Sequence, residues 1–134
     1  MPREAITDGD VPLSHLPFSP AVRAGDFVFV SGQASVDDTG AYVEEDFAGE
    51  MDRSMNNVAR ILAAAGATMD DVVQVRSYLG DMSYRDEYNR LYPTYFTAPL
   101  PARTTVAGGI GTLKFEVDVV AYAPRHTGPA AGSR

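Results

Sequence analysis

Residues 47–79 read FAGEMDRSMNNVARILAAAGATMDDVVQVRSYL, and the spacing of their apolar residues changes once along the way. Phe47, Met51, Met55, Val58, Leu62 and Ala65 recur as one helical face, with Glu50, Arg53, Asn57 and Arg60 off it. That pattern predicts an amphipathic helix of about 18 residues, closed by Gly66 where a left-handed cap is favoured. Val72 to Leu79 then alternates and is rich in β-branched residues, which predicts a long strand. A helix feeding directly into a strand calls for a mixed architecture, and the flanking segments decide which one.

Toward the N-terminus, Asp26 to Gly32 (DFVFVSG) is a nearly continuous β-branched and aromatic run, the pattern of a strand buried on both faces. Residues 1–20 are rich in Pro, Asp and Ser and read as an edge strand near Glu4 to Thr7 followed by a loop. Asp37-Asp38-Thr39-Gly40 reads as a turn. Toward the C-terminus, Ser83-Tyr84-Arg85-Asp86 resembles a capping box and opens a second helix with Tyr88, Leu91, Tyr92, Tyr95 and Phe96 on its apolar face. Pro93 lies inside that helix and removes the amide that would bond the Asn89 carbonyl, so a bend is expected. Pro99-Leu100-Pro101 forces an extended segment into a strand at Arg103 to Ala107; Gly108-Gly109-Ile110-Gly111 is a flexible connection, and Phe115 to Tyr122 (FEVDVVAY) is the last strand. The order strand, strand, helix, strand, helix, strand, strand predicts an α+β fold with both helices on one face of a sheet. The other face is then left to bury itself against copies of the chain, as a symmetric oligomer. Residues 1–126 form a single domain on this reading, with 127–134, rich in Gly, Pro, Ala and Ser, as a frayed tail.

Composition narrows the function. The 134 residues contain no cysteine, which removes disulfides, thiolate nucleophiles and Cys-ligated metals together. His15 and His126 are too far apart in sequence to suggest a two-histidine metal site, so neither metal nor organic cofactor is expected. Eleven basic against eighteen acidic residues give a net charge of -7, unsuited to a phosphate backbone, so no nucleic-acid partner is expected. No apolar run approaches the roughly 20 residues that span a bilayer, and none at the N-terminus has signal-peptide character. The expectation is a cytoplasmic protein with no membrane partner.

Arg103 and Glu116 stand out because each places a charge within a strand, where it needs solvent, a partner or a ligand. Spacing alone leaves open an ion pair between them, outward-pointing side chains, or a shared site. Pro101-Ala102-Arg103-Thr104-Thr105-Val106 followed, after a linker, by Phe115-Glu116-Val117 resembles the C-terminal signature of the RidA family of reactive imine and enamine deaminases. Pro17-Phe18-Ser19-Pro20-Ala21, Phe29-Val30-Ser31-Gly32-Gln33, Asn56-Asn57-Val58, Ala65-Gly66, Tyr88-Asn89, Tyr92 and Tyr95-Phe96 match in the same order, so the resemblance covers roughly residues 4–123.

The resemblance implies a chorismate-mutase-like α+β fold assembled as a homotrimer, with active sites in the clefts between subunits. By position, Arg103 would grip a substrate carboxylate through two parallel hydrogen bonds. Glu116 would activate the attacking water and pass a proton toward departing ammonia. Ser31 and Gly32 would offer backbone amides, a plain strand-ending turn being the alternative, while Asn89 and Tyr92 would lie near the cleft, with core packing the alternative for Tyr92. Phe18 stands where the best-studied branch has a tyrosine, keeping an aromatic wall without its hydroxyl. Thr105 stands where a cysteine is usual and would contribute its backbone carbonyl. The implied function is hydrolytic deamination of 2-imino or 2-enamino acids, such as 2-iminopropanoate and 2-iminobutanoate, to a 2-keto acid and ammonia. The alternatives are a relative acting on another enamine or imine in a specialised pathway, and a non-catalytic trimer that binds small ligands. Ribonuclease activity ranks last on charge grounds.

Overall fold

A computed structural model describes residues 3–7, 11 and 15–125, so His126 and the tail expected at 127–134 lie outside the described residues. Six strands form one sheet: β1 Glu4–Ile6, β2 Ala21–Ala24, β3 Phe27–Gln33, β4 Val72–Leu79, β5 Ala102–Ala107 and β6 Phe115–Tyr122. Their order is β1-β2-β3-β6-β4-β5, antiparallel throughout except for the parallel pair β4 and β5. Two helices, α1 Phe47–Ala64 and α2 Arg85–Leu91, lie on the same face, as expected: Phe115 of β6 packs edge-on against Phe47 of α1 at 5.9 Å and against Tyr88 of α2 at 6.0 Å. The core closes between helices and sheet around Met51, Met55, Val58, Ile61, Leu62, Val75, Leu79 and Val117. Burying each such side chain contributes about 1.5–3 kcal/mol.

α1 has the expected length and ends as expected, with Gly66 at φ 80°. Its Asp46 N-cap accepts from the Gly49 amide. Two residues assigned to its outer face are nevertheless buried. Glu50 accepts from the Tyr42 hydroxyl and from the Lys114 amide at 3.1 Å, and Asn57 donates to the Val36 carbonyl at 3.1 Å. The segment before α1 folds over that flank and supplies the polar partners that make burial tolerable.

Several expectations need correction. β2 has no counterpart in the expected order of elements, which passes from the loop within residues 1–20 to the strand at Asp26; it is only four residues long and carries Arg23, whose buried guanidinium donates to the Ala65 carbonyl at 2.7 Å and the Ala123 carbonyl at 2.8 Å. β3 is not buried on both faces in the single chain. Val28 and Val30 enter the core while Phe27 and Phe29 stay 41% and 43% exposed, because nothing among the described residues covers the sheet face opposite the helices. Ser83 does not cap α2. Asp81 caps a 3-10 turn over Met82–Tyr84 instead, accepting from the Ser83 amide at 2.8 Å. Pro93 ends the second helix rather than bending it: α2 stops at Leu91 and a 3-10 turn runs over Tyr92–Thr94. Tyr95 and Phe96 therefore leave the helix, although Phe96 still packs against Tyr92 at 5.0 Å.

Candidate functional site

Strand register decides which way each charged side chain points. In the parallel pair, Arg103 lies beside Val75 and Thr105 beside Ser77, both buried under the helices, so Arg103 and Thr105 point to the helix side. Glu116 lies beside Tyr78, and Tyr78 beside Val106, so Glu116 points to the open side. Arg103 and Glu116 thus occupy opposite faces of one sheet, with β4 between their strands, and make no ion pair with each other.

On the helix side, at the free edge formed by β5, the Arg103 guanidinium lies 4.8 Å from the ring centroid of Tyr88 and 4.8 Å from that of Tyr92. Two such cation–π contacts contribute about 0.5–1 kcal/mol each at an exposed position and position the guanidinium without using its N–H donors. Among the described residues the guanidinium has no hydrogen bond or ion pair. Tyr88 is itself fixed, donating to Ser77 Oγ at 2.7 Å and accepting from Thr105 Oγ1 at 3.4 Å. The Thr105 hydroxyl is therefore turned toward Tyr88. The Tyr92 hydroxyl is buried with no hydrogen-bond partner among the described residues, and burial pushes it well above the usual tyrosine range. Asn89 is exposed on α2, next to Tyr88 in the chain.

On the open side, Glu116 lines a hollow of about 470 Å³ with Gly32, Tyr78, Gly108, Gly109 and Asp118. A Cβ on Gly32 would overlap the Glu116 carboxylate where it now lies, so glycine lets that side chain approach the strand closely. Gly108 and Gly109 adopt φ 88° and 81°, which explains why glycine recurs in that connection. The Glu116 carboxyl has no hydrogen bond among the described residues. Burial first, and then the charge of Asp118, push it above the usual carboxylate range.

Phe18 and Ser31 share a neighbouring shallow hollow with Pro17 and Ser19, and Phe18 is 48% exposed. The β3–β6 register shifts between Val30 and Gln33, so Ser31 and Gly32 sit at an irregularity. The Ser31 amide is not free for a substrate, since it donates to the Pro20 carbonyl at 2.9 Å; its hydroxyl donates to the Ser19 carbonyl at 2.6 Å. That corrects the expectation of a substrate-facing amide at Ser31.

The eight candidate residues thus form an arginine half with Thr105, Tyr92 and Asn89, a glutamate half with Gly32, and the Phe18–Ser31 hollow. Sequence reasoning missed Tyr88, Tyr78 and Asp118. The strand alternation that placed Glu116 also placed Asp118, two residues on, on the same face. A larger hollow of about 570 Å³, between residues 36–39 and α1, contains none of the eight candidates, and its arginines are paired, Arg53 with Glu45 and Arg60 with Asp38. Among the described residues no group of three or more His, Asp or Glu side chains could hold a metal ion. No helix among them is long and apolar enough to cross a membrane.

Comparison with known proteins places these features. A family model described as endoribonuclease L-PSP matches residues 9–123. A RutC family protein of Pyrococcus abyssi is 37% identical over 107 residues, covering 79% of this chain and 84% of the relative. Reactive Intermediate Deaminase A, the chloroplastic protein of Arabidopsis thaliana, is 32% identical over 122 residues, covering 89% of this chain and 65% of the relative. The crystal structure of a Rid family protein of Yersinia pestis, described as of unknown function, superposes with a TM-score of 0.84 at 25% identity, covering 91% of this chain and 100% of that one.

Proposed function

Because the chain belongs to the endoribonuclease L-PSP family, which includes the RidA proteins, we propose that it is a cytoplasmic, cofactor-independent deaminase that hydrolyses 2-imino and 2-enamino acids to 2-keto acids and ammonia. The observation that carries this reading is a pair of functional groups without polar partners among the described residues: a guanidinium resting against two tyrosine rings, and a half-buried carboxyl beside glycine. A protein that needed these charges only for stability would pair them.

Since the two groups lie on opposite faces of the sheet, the working site is completed between subunits of a homotrimer, the arginine half of one copy facing the glutamate half of the next. The exposed Phe27, Phe29 and Tyr122 on the open face support burial against another copy. In that cleft the free N–H edges of Arg103 take the substrate carboxylate in a bidentate grip. Glu116 accepts a proton from water as the oxygen adds to the C=N carbon. The carbinolamine then collapses: the proton passes from Glu116 to nitrogen, the C–N bond breaks as the C=O forms, and the hydroxyl proton is taken up by Glu116, so that one water is consumed for each ammonia released. Phe18 would form an apolar wall, with Gly32, Asn89, Tyr92 and Thr105 lining the remainder.

Cleavage of RNA, suggested by the family's description, is disfavoured on this chain by Glu116 and Asp118 lying in one hollow, where a phosphate backbone would be repelled. The test is a coupled dehydratase assay that generates iminopropionate, iminobutyrate and bulkier imino acids, run beside Arg103→Ala and with light scattering on the same samples. Accelerated ammonia release by a trimer, lost in the variant, is expected; full activity in a monomer would overturn the intersubunit site.

A further inference from the structure

Glu116 shares its hollow with a second carboxylate whose surroundings are quite different. The β4–β6 register sets Tyr78 opposite Glu116 and Arg76 opposite Asp118. Asp118 accepts from Arg76 Nε at 2.8 Å and from the Tyr78 hydroxyl at 3.0 Å, and its side chain is 16% exposed against 60% for Arg76. Both donors fix the position of the Asp118 side chain. Glu116, two residues away on the same strand face, has no such donors. The other segments lining the hollow bring no charge to Glu116: β3 contributes Gly32, β5 contributes Val106, and the connection after β5 contributes Gly108, Gly109 and Ile110. Among the described residues of one chain, the titratable and charged groups facing it are therefore Asp118 and Tyr78, with Arg76 acting through Asp118; in the proposed trimer the Arg103 guanidinium of the next copy faces it as well. Burial favours the neutral form of the Glu116 carboxyl, and the negative charge of Asp118 adds to that preference.

Resting on the reading of Glu116 as the proton-handling group, we propose that Asp118 is a positioning residue of the same site: locked by Arg76 and Tyr78, it keeps a fixed negative charge beside Glu116, so that Glu116 is the carboxyl that carries the proton to the departing nitrogen. The division of labour is set by the donors. One carboxyl is tied to two donors and the other stands without donors beside a like charge, which leaves the second as the one placed to hand on a proton. Arg76 moderates the effect by neutralising part of the charge on Asp118.

The experiment is an NMR titration of the full-length protein labelled at the glutamate side-chain carboxyl carbons, with the Glu116 signal assigned by its loss in Glu116→Gln. In Asp118→Asn the Glu116 midpoint is expected to move to lower pH by about half a unit, and in Arg76→Gln to move upward by less. The acid limb of the deamination rate profile should move with it, without a matching change in KM. An unmoved or raised Glu116 midpoint in Asp118→Asn overturns the inference, and Arg76→Gln keeps it testable if the first variant folds poorly. Because the titration does not depend on turnover, a lowered midpoint in a protein inactive on every imino acid would sink the deaminase reading and leave the coupling standing. Activity with an unmoved midpoint would do the reverse.

Discussion

Arg103 and Glu116 belong to strands separated only by β4, yet each is surrounded by chemistry of a different kind. Arg103 rests against Tyr88 and Tyr92, rings that belong to the core and are anchored through Ser77 and the tilted ring of Phe96. Glu116 is held by an absence of bulk, with Gly32, Gly108 and Gly109 around it and a second carboxylate alongside. A guanidinium is weakly hydrated and planar, so aromatic faces fix its direction while leaving its donors available. A carboxyl that must exchange a proton needs the opposite: few donors, partial burial and a neighbour of like charge. One half is built to bind, the other to react.

The sharpest way to break that contrast is Arg103→Ala. The rings it rests on are packed without it, so the fold should survive while kcat/KM for a carboxylate substrate falls by about a thousandfold or more, read in the coupled ammonia assay beside a thermal melt. An unchanged rate would remove the binding half from the site. Glu116→Gln should lower kcat by about a hundredfold to a thousandfold with little change in KM, as expected for loss of a general base. The same variant has a stability signature. The folded-state affinity of Glu116 for its proton is raised, so its favourable contribution is complete below the unfolded carboxyl range and is lost as pH rises through the folded midpoint. Neutral glutamine should therefore raise Tm by about a degree or two near neutral pH and change nothing in strong acid, a difference measurable by calorimetry at two pH values.

Gly32→Ala sharpens the other side of the comparison, because its Cβ would displace the Glu116 carboxylate. Turnover should fall by about tenfold with a modest loss of stability, and a crystal structure of the variant should find the Glu116 side chain moved. The smallest effect is expected at the binding half's edge. Tyr92→Phe removes a buried hydroxyl with no partner among the described residues, so stability should rise by about 1 kcal/mol in a denaturant titration while KM increases only a few-fold.

Much of this architecture was legible along the chain wherever a long periodic pattern outweighed local detail. α1, β4 and β6 fall where residues 47–79 and 115–122 indicated, and Gly66 caps α1 with a left-handed backbone. Short elements were less readable. β2 has four residues and carries Arg23 into the core, because carbonyls of Ala65 and Ala123, distant in sequence, satisfy its guanidinium. Glu50 lies off the apolar face of α1 in the sequence pattern and is buried all the same, because Tyr42 and Lys114 supply its polar partners. At Pro93 the chain took the simpler course of ending α2, since a missing amide is tolerated more easily at a helix end than within one.

By itself, the order of residues determined the α+β class and the family pattern, and it marked out Arg103 and Glu116, because periodicity and charged residues in strands are properties of neighbours along the chain. Only the tertiary structure decided that these two side chains leave opposite faces of the sheet, that two tyrosines hold the first, and that Asp118, tied to Arg76 and Tyr78, stands beside the second. Those relations depend on strand register and crossover, which pair residues far apart in sequence and which no local pattern encodes.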